Sequence, residues 1–487
     1  MTGGNHLFSS RWGMILTMLG MAVGTGNIWR FPRIAASNGG GTFLIPWAIF
    51  LVLWSVPLLL CEFAMGKGTR RGPLGAFTAL LGQSWAWMGA WVVLCSILIM
   101  FYYSVVTGWC VRYFVAAVSG EIPGAEPIAF WNGYAESGWA VVTMLVGLGI
   151  GLFVVARGVR GIEAACRILM PTLILLVLVL AIRAVTLPGA MRGMAFLFTP
   201  DWSGMADSRV WLEALTQNAW DTGAGWGLAL AYATYLRARE DTTINAFVLG
   251  FGNNSVSLLA GIMVLCTVFS IRPDASAEIV GAGNTGLTFI WMPQLFAAIP
   301  AGRLFMALFF LALFFAALTS LISMIELGTR TLIDRGVARG RAIGLIGVAG
   351  VVFGIPSALH MGFFDNQDNV WGVGLMLSGL FFGLAILKYG VDRFRKQYVN
   401  SEGSDVTIGR WWNAAIVLVV LEALVLLVWW LSQTILTEGW RASLDPFRDW
   451  SLGTFLLQWG IALGLLLALN RWLARGQVPV AVTERET

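Results

Sequence analysis

The sequence predicts an all-α integral membrane protein with twelve transmembrane helices. Three observations carry this. Hydrophobic residues make up 58% of the 487 and charged residues only 12%, against about 25% charge in a soluble domain. The apolar residues fall into runs of about 20, the length at which a helix crosses a bilayer. Lys and Arg concentrate in alternate stretches between those runs, as charge-directed membrane topology requires. No polar linker divides the chain, although a soluble protein of this length would need one.

The spans are expected at about 11–35, 41–66, 85–117, 139–156, 165–185, 211–237, 242–270, 302–333, 342–356, 369–388, 411–432 and 452–474. The ninth is the shortest and is rich in Gly. One set of connecting stretches holds Lys67, Arg70, Arg71, Arg157, Arg160, Arg167, Arg237 and Arg239. Further along, the same side holds Arg335, Arg339, Arg341, Arg393, Arg395, Lys396 and Arg410. The opposite stretch 118–138 has no Lys or Arg but carries Glu121, Glu126 and Glu136. Both termini are therefore expected in the cytoplasm, with the protein multi-pass in the cell inner membrane.

The net charge of +5 belongs to these topology determinants, and no nucleic-acid partner is expected. The 24 Trp residues suit rings seated at the headgroup level. Cys61, Cys95, Cys110, Cys166 and Cys266 lie in or beside apolar runs without metal or pairing spacing, and read as small buried hydrophobes. The N-terminus lacks the basic run and small-residue cleavage site of a signal peptide. A single membrane domain is expected over 1–475. It divides into halves of about 11–185 and 211–388 with extra helices over 411–474, and 476–487 form a short cytoplasmic tail.

Two spans are interrupted. The first contains GMAVGTGN from Gly20 to Asn27, and the sixth contains DTGAGWG from Asp221 to Gly227. Glycine-dense polar stretches weaken a helix. Backbone freed at membrane depth must find partners or line a cavity. The interruptions lie five spans apart, at corresponding places in two five-span halves. That is the pattern of a 5+5 inverted repeat, with unwound helices 1 and 6 and a solute site at the midplane. The plainer alternative is that the glycines only let helices pack closely.

Polar residues inside apolar spans are costly, so each is a candidate for function. Arg30, Glu62, Asp221, Asn27, Asn253, Thr319 and Ser320 qualify. Their oxygens suit a small hard cation. For Thr319 and Ser320 alone, hydroxyl back-bonding to a helix carbonyl is the simpler reading. Asp221 could equally cap a half-helix.

The stretch RWGMILTMLGMAVGTGNIWRFP, Arg11 to Pro32, resembles the first span of the neurotransmitter:sodium symporters. NGGGTFLIP from Asn38, EFAMG from Glu62, Tyr102-Tyr103, Gln217 to Gly227, Asn253 to Ser257 and FFAALTS from Phe314 continue the resemblance in order. It covers about the first 390 residues, and the bacterial leucine transporter is the kind of member it looks like. The resemblance implies a sodium-coupled symporter that takes up a small neutral amino acid or related amine by alternating access, with one or two Na+ ions.

It implies a second sodium site at Gly20, Val23, Ala316, Thr319 and Ser320, and a first at Ala22, Asn27, Asn253 and residue 221. Relatives carry Thr or Ser at that last position, whereas this chain has Asp221. The chloride ligands of chloride-dependent relatives would fall on Trp47, Gln217, Asp221, Asn253 and Ser257. The usual Tyr is Trp47 here, and an anion about 4 Å from the Asp221 carboxylate would be repelled by several kcal/mol. Chloride-independent transport is therefore expected.

A substrate carboxylate would meet Thr25, Gly26 and Tyr103. Met21, Ala22, Ile99, Trp220, Asp221, Gly223, Trp226, Ser320, Ser323 and Met324 would form the rest of the pocket. Amine-selective relatives carry an acid at the position of Gly24, which favours an amino acid, although Asp221 could face a cationic group. The outer gate would be Arg30 with Asp368, beneath which Tyr103 and Trp220 form the lid. Tyr235 and Asp334 match the inner gate. Its usual basic partner is Asn5 and its usual Trp is Phe8, so a weaker inner gate, or a different partner for Asp334, is expected.

Three rivals remain. A membrane enzyme lacks support, since only His6 and His360 are available as imidazole ligands and no nucleophile elbow or phosphate loop occurs. A non-transporting solute sensor would favour a longer tail. A proton-coupled transporter using Asp221 is the nearest rival. Substrate identity and assembly stay open, a homodimer included.

Overall fold

The computed structural model describes residues 7–122, 126–401 and 404–475. Asn5, His6 and the tail 476–487 lie outside the described residues. Among the described residues, nine helices are long and apolar enough to cross a membrane. Leu452–Ala468 is a shorter apolar helix. The two remaining spans, the first and the sixth, are broken ones. The twelve expected spans are thus present.

Three boundaries moved. The fifth span begins at Gly158, the ninth is Arg339–Leu359 and the tenth is Met361–Tyr389. In each case the helix runs past the apolar run into charged residues. Backbone geometry ends it instead: Gly158 at φ +72° separates the fourth span from the fifth, and extended His360 separates the ninth from the tenth. The outer connections also carry short helices, including Pro127–Ala135, Met191–Phe198 and Met292–Ala297.

The first span starts at Arg11, where the Ser10 hydroxyl accepts from the Gly13 N–H at 3.0 Å. It stops at Ala22, because Val23 is extended (φ −72°, ψ 99°). Helical backbone resumes as a wide turn over Gly26–Arg30 and then as Phe31–Ser37, with Pro32 in the first turn. The sixth span is Ser208–Asp221, then a loop, then Leu228–Ala233. Gly223, Gly225 and Gly227 all have positive φ (+71°, +88° and +77°), a region other residues enter only with strain. Five crossings separate the breaks, so the two helices run in opposite directions.

Glu62 of the second span satisfies the freed backbone of the sixth. Its Oε1 accepts from the Gly225 N–H at 2.6 Å and its Oε2 from the Leu230 N–H at 3.1 Å. Gly66, one turn on, lets the two helices touch: a Cβ there would lie 2.2 Å from the Leu230 carbonyl oxygen. Among the nine long spans, the tenth, third and eighth are the most buried. The fourth, fifth, ninth and eleventh turn Phe153, Ile168, Leu175, Val348, Phe353 and Val428 outward, the apolar belt a bilayer would cover. All five cysteines are buried and unpaired by disulfides.

Glu62→Ala removes both acceptors and leaves two buried N–H groups bare, at about 1–3 kcal/mol each. Thermal unfolding of the purified protein in detergent is expected to shift down clearly for Glu62→Ala, and less for Glu62→Gln, which keeps one acceptor.

Candidate functional site

The two breaks face one cavity. Met21, Ala22, Thr25 and Gly26 line it from the first span, and Trp220, Asp221, Gly223 and Trp226 from the sixth. Ile99 and Tyr103 of the third span and Ser320 and Met324 of the eighth complete the wall. Ser323 is elsewhere. Its hydroxyl donates to the Thr319 carbonyl at 2.9 Å and accepts from Tyr232 at 3.0 Å, so it braces the eighth span. Tyr102, already marked by the resemblance, lines the cavity as well, with Val106, Asn284, Phe364 and Leu375; no feature of the sequence separated these last four from packing residues.

In the first break, Asn27 Oδ1 accepts from the Gly24 N–H at 2.8 Å. The Tyr103 hydroxyl accepts from the Thr25 N–H and the Thr25 hydroxyl, both at 3.1 Å. The donors expected to meet a substrate carboxylate are thus already held in one place. A Cβ on Gly24 would lie 3.0 Å from Ser320 Oγ and 3.1 Å from the Tyr103 oxygen, so little room exists for a side chain at 24.

Residues of the expected first sodium set converge. Asn27 Nδ2 donates to Asn253 Oδ1 at 2.9 Å. That oxygen lies 3.1 Å from the Asp221 carbonyl oxygen and 3.2 Å from the Ala22 carbonyl oxygen. Turned over, the Asn253 amide donates to both carbonyls, so these spacings are those of ordinary hydrogen bonds. The donor types, two carbonyls and an amide oxygen, are also those a small hard cation would take. The second set is assembled where the first break crosses the eighth span. A Cβ on Gly20 would lie 3.2 Å from Thr319 Cβ, and the Ser320 hydroxyl donates to the Met21 carbonyl at 3.4 Å. The Thr319 hydroxyl donates to the Phe315 and Ala316 carbonyls at 3.0 and 3.1 Å, which is the back-bonded arrangement.

The Asp221 carboxylate sits between the two breaks. Its Oδ2 accepts from Gln217 Nε2. Its Oδ1 lies against Gly26, where an added Cβ would push the carboxylate aside. The nearby Asn27 amide also donates to Ser257 Oγ at 2.7 Å. Trp47 joins this region through its carbonyl, which accepts from Asn218 at 2.9 Å, while its ring packs on Phe31 with centroids 4.7 Å apart.

The outer pair is apart in this structure, and Asp334 has another partner, one of the two outcomes expected for it. Arg30 and Asp368 line the cavity, but no ion pair within 4 Å joins them. The Arg30 guanidinium instead lies 3.7 Å over the Trp220 ring. On the inner side, Asp334 pairs with Arg330, one turn back on its own helix, at 2.9 Å. It also accepts from the Gly72 N–H at 2.6 Å. The Tyr235 hydroxyl donates to Glu326 at 2.5 Å, and Arg339 pairs with the same carboxylate.

Around Phe8 the N-terminal segment is held by several contacts of its own. Phe8 packs edge-on against Tyr232 and Tyr235. Ser9 and Ser10 are held by Glu163 through both backbone N–H groups and both hydroxyls, with Arg167 on the same carboxylate. Buried acids in apolar spans were the signal for Glu62, and the same rule applied to Glu326 would have found its contacts; Glu163 precedes the apolar run expected at 165–185 and gave no such signal.

Together these features form a cavity between two helix breaks, with converging backbone and amide oxygens beside it. The chain belongs to the sodium:neurotransmitter symporter family, whose model matches residues 5–137 and 130–482. It is a sodium-dependent membrane transporter of that family. An uncharacterised sodium-dependent transporter of Methanocaldococcus jannaschii is 32% identical over 461 residues, covering 89% of this chain and 92% of that protein. One from Bacillus subtilis is 31% identical over 405 residues, covering 78% and 88%. The crystal structure of MhsT in complex with L-phenylalanine superposes with a TM-score of 0.78 at 30% identity, covering 87% of this chain and 99% of that one.

Arg339→Ala strands Glu326 as an unpaired buried charge, which is expected to cost about 3–5 kcal/mol. Denaturation of the detergent-solubilised protein should report this loss, and Glu326→Gln in the same chain should recover most of it.

Proposed function

We propose that the chain couples sodium to the uptake of a small neutral amino acid by alternating access, without chloride. The observation that carries this is the Asp221 carboxylate, which lies between the two helix breaks and beside the converging oxygens of Ala22, Asp221 and Asn253. A carboxylate there supplies the negative charge that a cation site needs. An anion about 4 Å away would be repelled by ~4 kcal/mol at an effective dielectric near 20.

The transport cycle follows from the parts. Sodium entering from outside draws the Ala22 and Asp221 carbonyls and the Asn253 amide oxygen together, joining the first break to the sixth and seventh spans. A second ion among Gly20, Val23, Ala316, Thr319 and Ser320 would tie the first break to the eighth. The substrate carboxylate meets Thr25, Gly26 and Tyr103 once sodium is bound, the cation offsetting the repulsion from Asp221 beside Gly26, and the substrate side chain lies among Met21, Ile99, Trp226 and Met324. Arg30 then leaves Trp220 for Asp368 and the outer gate closes. Opening of the Glu163, Glu326 and Asp334 contacts releases ions and solute to the cytoplasm, the side where Lys and Arg gather.

Two observations favour an amino acid over an amine. Gly24 has little room for the acid that would hold an amine. The structural relative MhsT was solved with L-phenylalanine.

Uptake into proteoliposomes tests the reading. An inward sodium gradient is expected to drive amino-acid accumulation that survives replacement of chloride by gluconate. Asp221→Asn is expected to lower uptake about tenfold or more in gluconate and to regain part of it in chloride. Loss of wild-type uptake in gluconate would overturn chloride independence. Sodium-free uptake driven by a pH gradient would select proton coupling through Asp221, and binding without uptake would select a sensor.

A further inference from the structure

The eleventh and twelfth spans, Trp411–Glu438 and Leu452–Ala468, lie outside the two five-span halves. Even so, a chain of flat side chains runs from them to the lid. Trp450, in the connection between them, stacks on Trp430 with centroids 6.2 Å apart and planes 25° apart. Trp430 stacks on Trp220 at 6.1 Å and 13°. Trp220 carries the Arg30 guanidinium at 3.7 Å.

The ladder is anchored at each step. Trp430 Nε1 donates to the Thr216 hydroxyl at 3.2 Å, one turn before Trp220 on the same helix. Asn366 Nδ2 donates to the Asp449 carbonyl at 3.0 Å, which ties the residue next to Trp450 to the tenth span, two positions from Asp368. Gln458 of the twelfth span donates to Asn366 Oδ1 at 2.8 Å. Gly372 leaves space for the lid: a Cβ there would lie 2.8 Å from Trp220 Cζ2.

We propose that Trp430 and Trp450 are positioning residues for the outer gate. They hold the Trp220 indole where it keeps Arg30 away from Asp368. Near-parallel indoles at this separation are an offset stack, and a guanidinium over an indole face is attracted by its quadrupole. Arg30 has two competing partners, the Trp220 face and the Asp368 carboxylate. In this structure it takes the first, and the cavity runs past the lid to Asp368 and Phe364. Loss of the stack frees Trp220 to tilt, weakens its hold on Arg30 and favours the closed ion pair. The last two spans thereby set how readily the gate closes, without touching the solute. This rests on the transporter reading above.

The test uses the full chain in detergent with an Asn284→Cys reporter. Asn284 lines the cavity, and all five native cysteines are buried. The rate of thiosulfonate labelling is read at saturating sodium. Trp430→Ala is expected to slow labelling about three- to tenfold, while Trp430→Phe, which keeps a stacking ring, stays within about twofold of the parent. Trp450→Ala should slow it in the same direction, and the Trp430→Ala effect should vanish when Arg30 is replaced by Ala. Labelling of Trp430→Ala at the parent rate, or an effect that persists without Arg30, would overturn the proposal. If sodium leaves the rate of the parent reporter unchanged, the transporter reading itself fails, and the proposal with it.

Discussion

The architecture depends on one constraint: backbone exposed by a helix break cannot be left bare at membrane depth. Two breaks face each other here, and nearby side chains take up their freed groups. Glu62 takes the Gly225 and Leu230 N–H groups, Asn27 takes Gly24, and Tyr103 takes Thr25. What these partners leave over lines the candidate site. The Ala22 and Asp221 carbonyls lie 3.2 and 3.1 Å from the Asn253 side-chain amide, which can turn its N–H to donate to both. The proposed cation set thus consists of groups that the breaks leave over.

The acids around the site divide by how fully they are satisfied. Glu62 accepts two backbone N–H groups, Glu163 holds both serines and Arg167, Glu326 holds Tyr235 and Arg339, and Asp334 holds Arg330 and Gly72. These four carboxylates lock helices together, and three of them, Glu163, Glu326 and Asp334, are the contacts that open in the cycle proposed above. Asp221 accepts only from Gln217. A buried carboxylate with a single neutral donor keeps capacity for a cation, which is why the coupling chemistry is assigned to it and not to its better-paired neighbours.

Much of this was legible in the sequence, for physical reasons. Apolar length marks a span whatever its neighbours are, and paired Gly-rich gaps mark breaks. The pocket wall was legible for the residues that flank the breaks. Ser323 was misassigned because Ser320 and Met324 share one helix face, whereas position 323 turns to Tyr232. The gates were the least legible part. Choice of partner depends on side-chain reach: Asp334 finds Arg330 one turn away, and Arg30 finds an aromatic face before it finds an acid. Helix ends at Gly158 and His360 were set by backbone geometry, which hydropathy does not report.

The central claim is that the two breaks form one site in which sodium and solute stabilise each other. The most direct measurement is thermal unfolding of the purified protein across a panel of amino acids and amines, in sodium and in an equal concentration of choline. The account predicts that at least one neutral amino acid raises the unfolding temperature in sodium and has little effect in choline, by linkage of the two bound ligands to the folded state. Equal stabilisation in choline would contradict it.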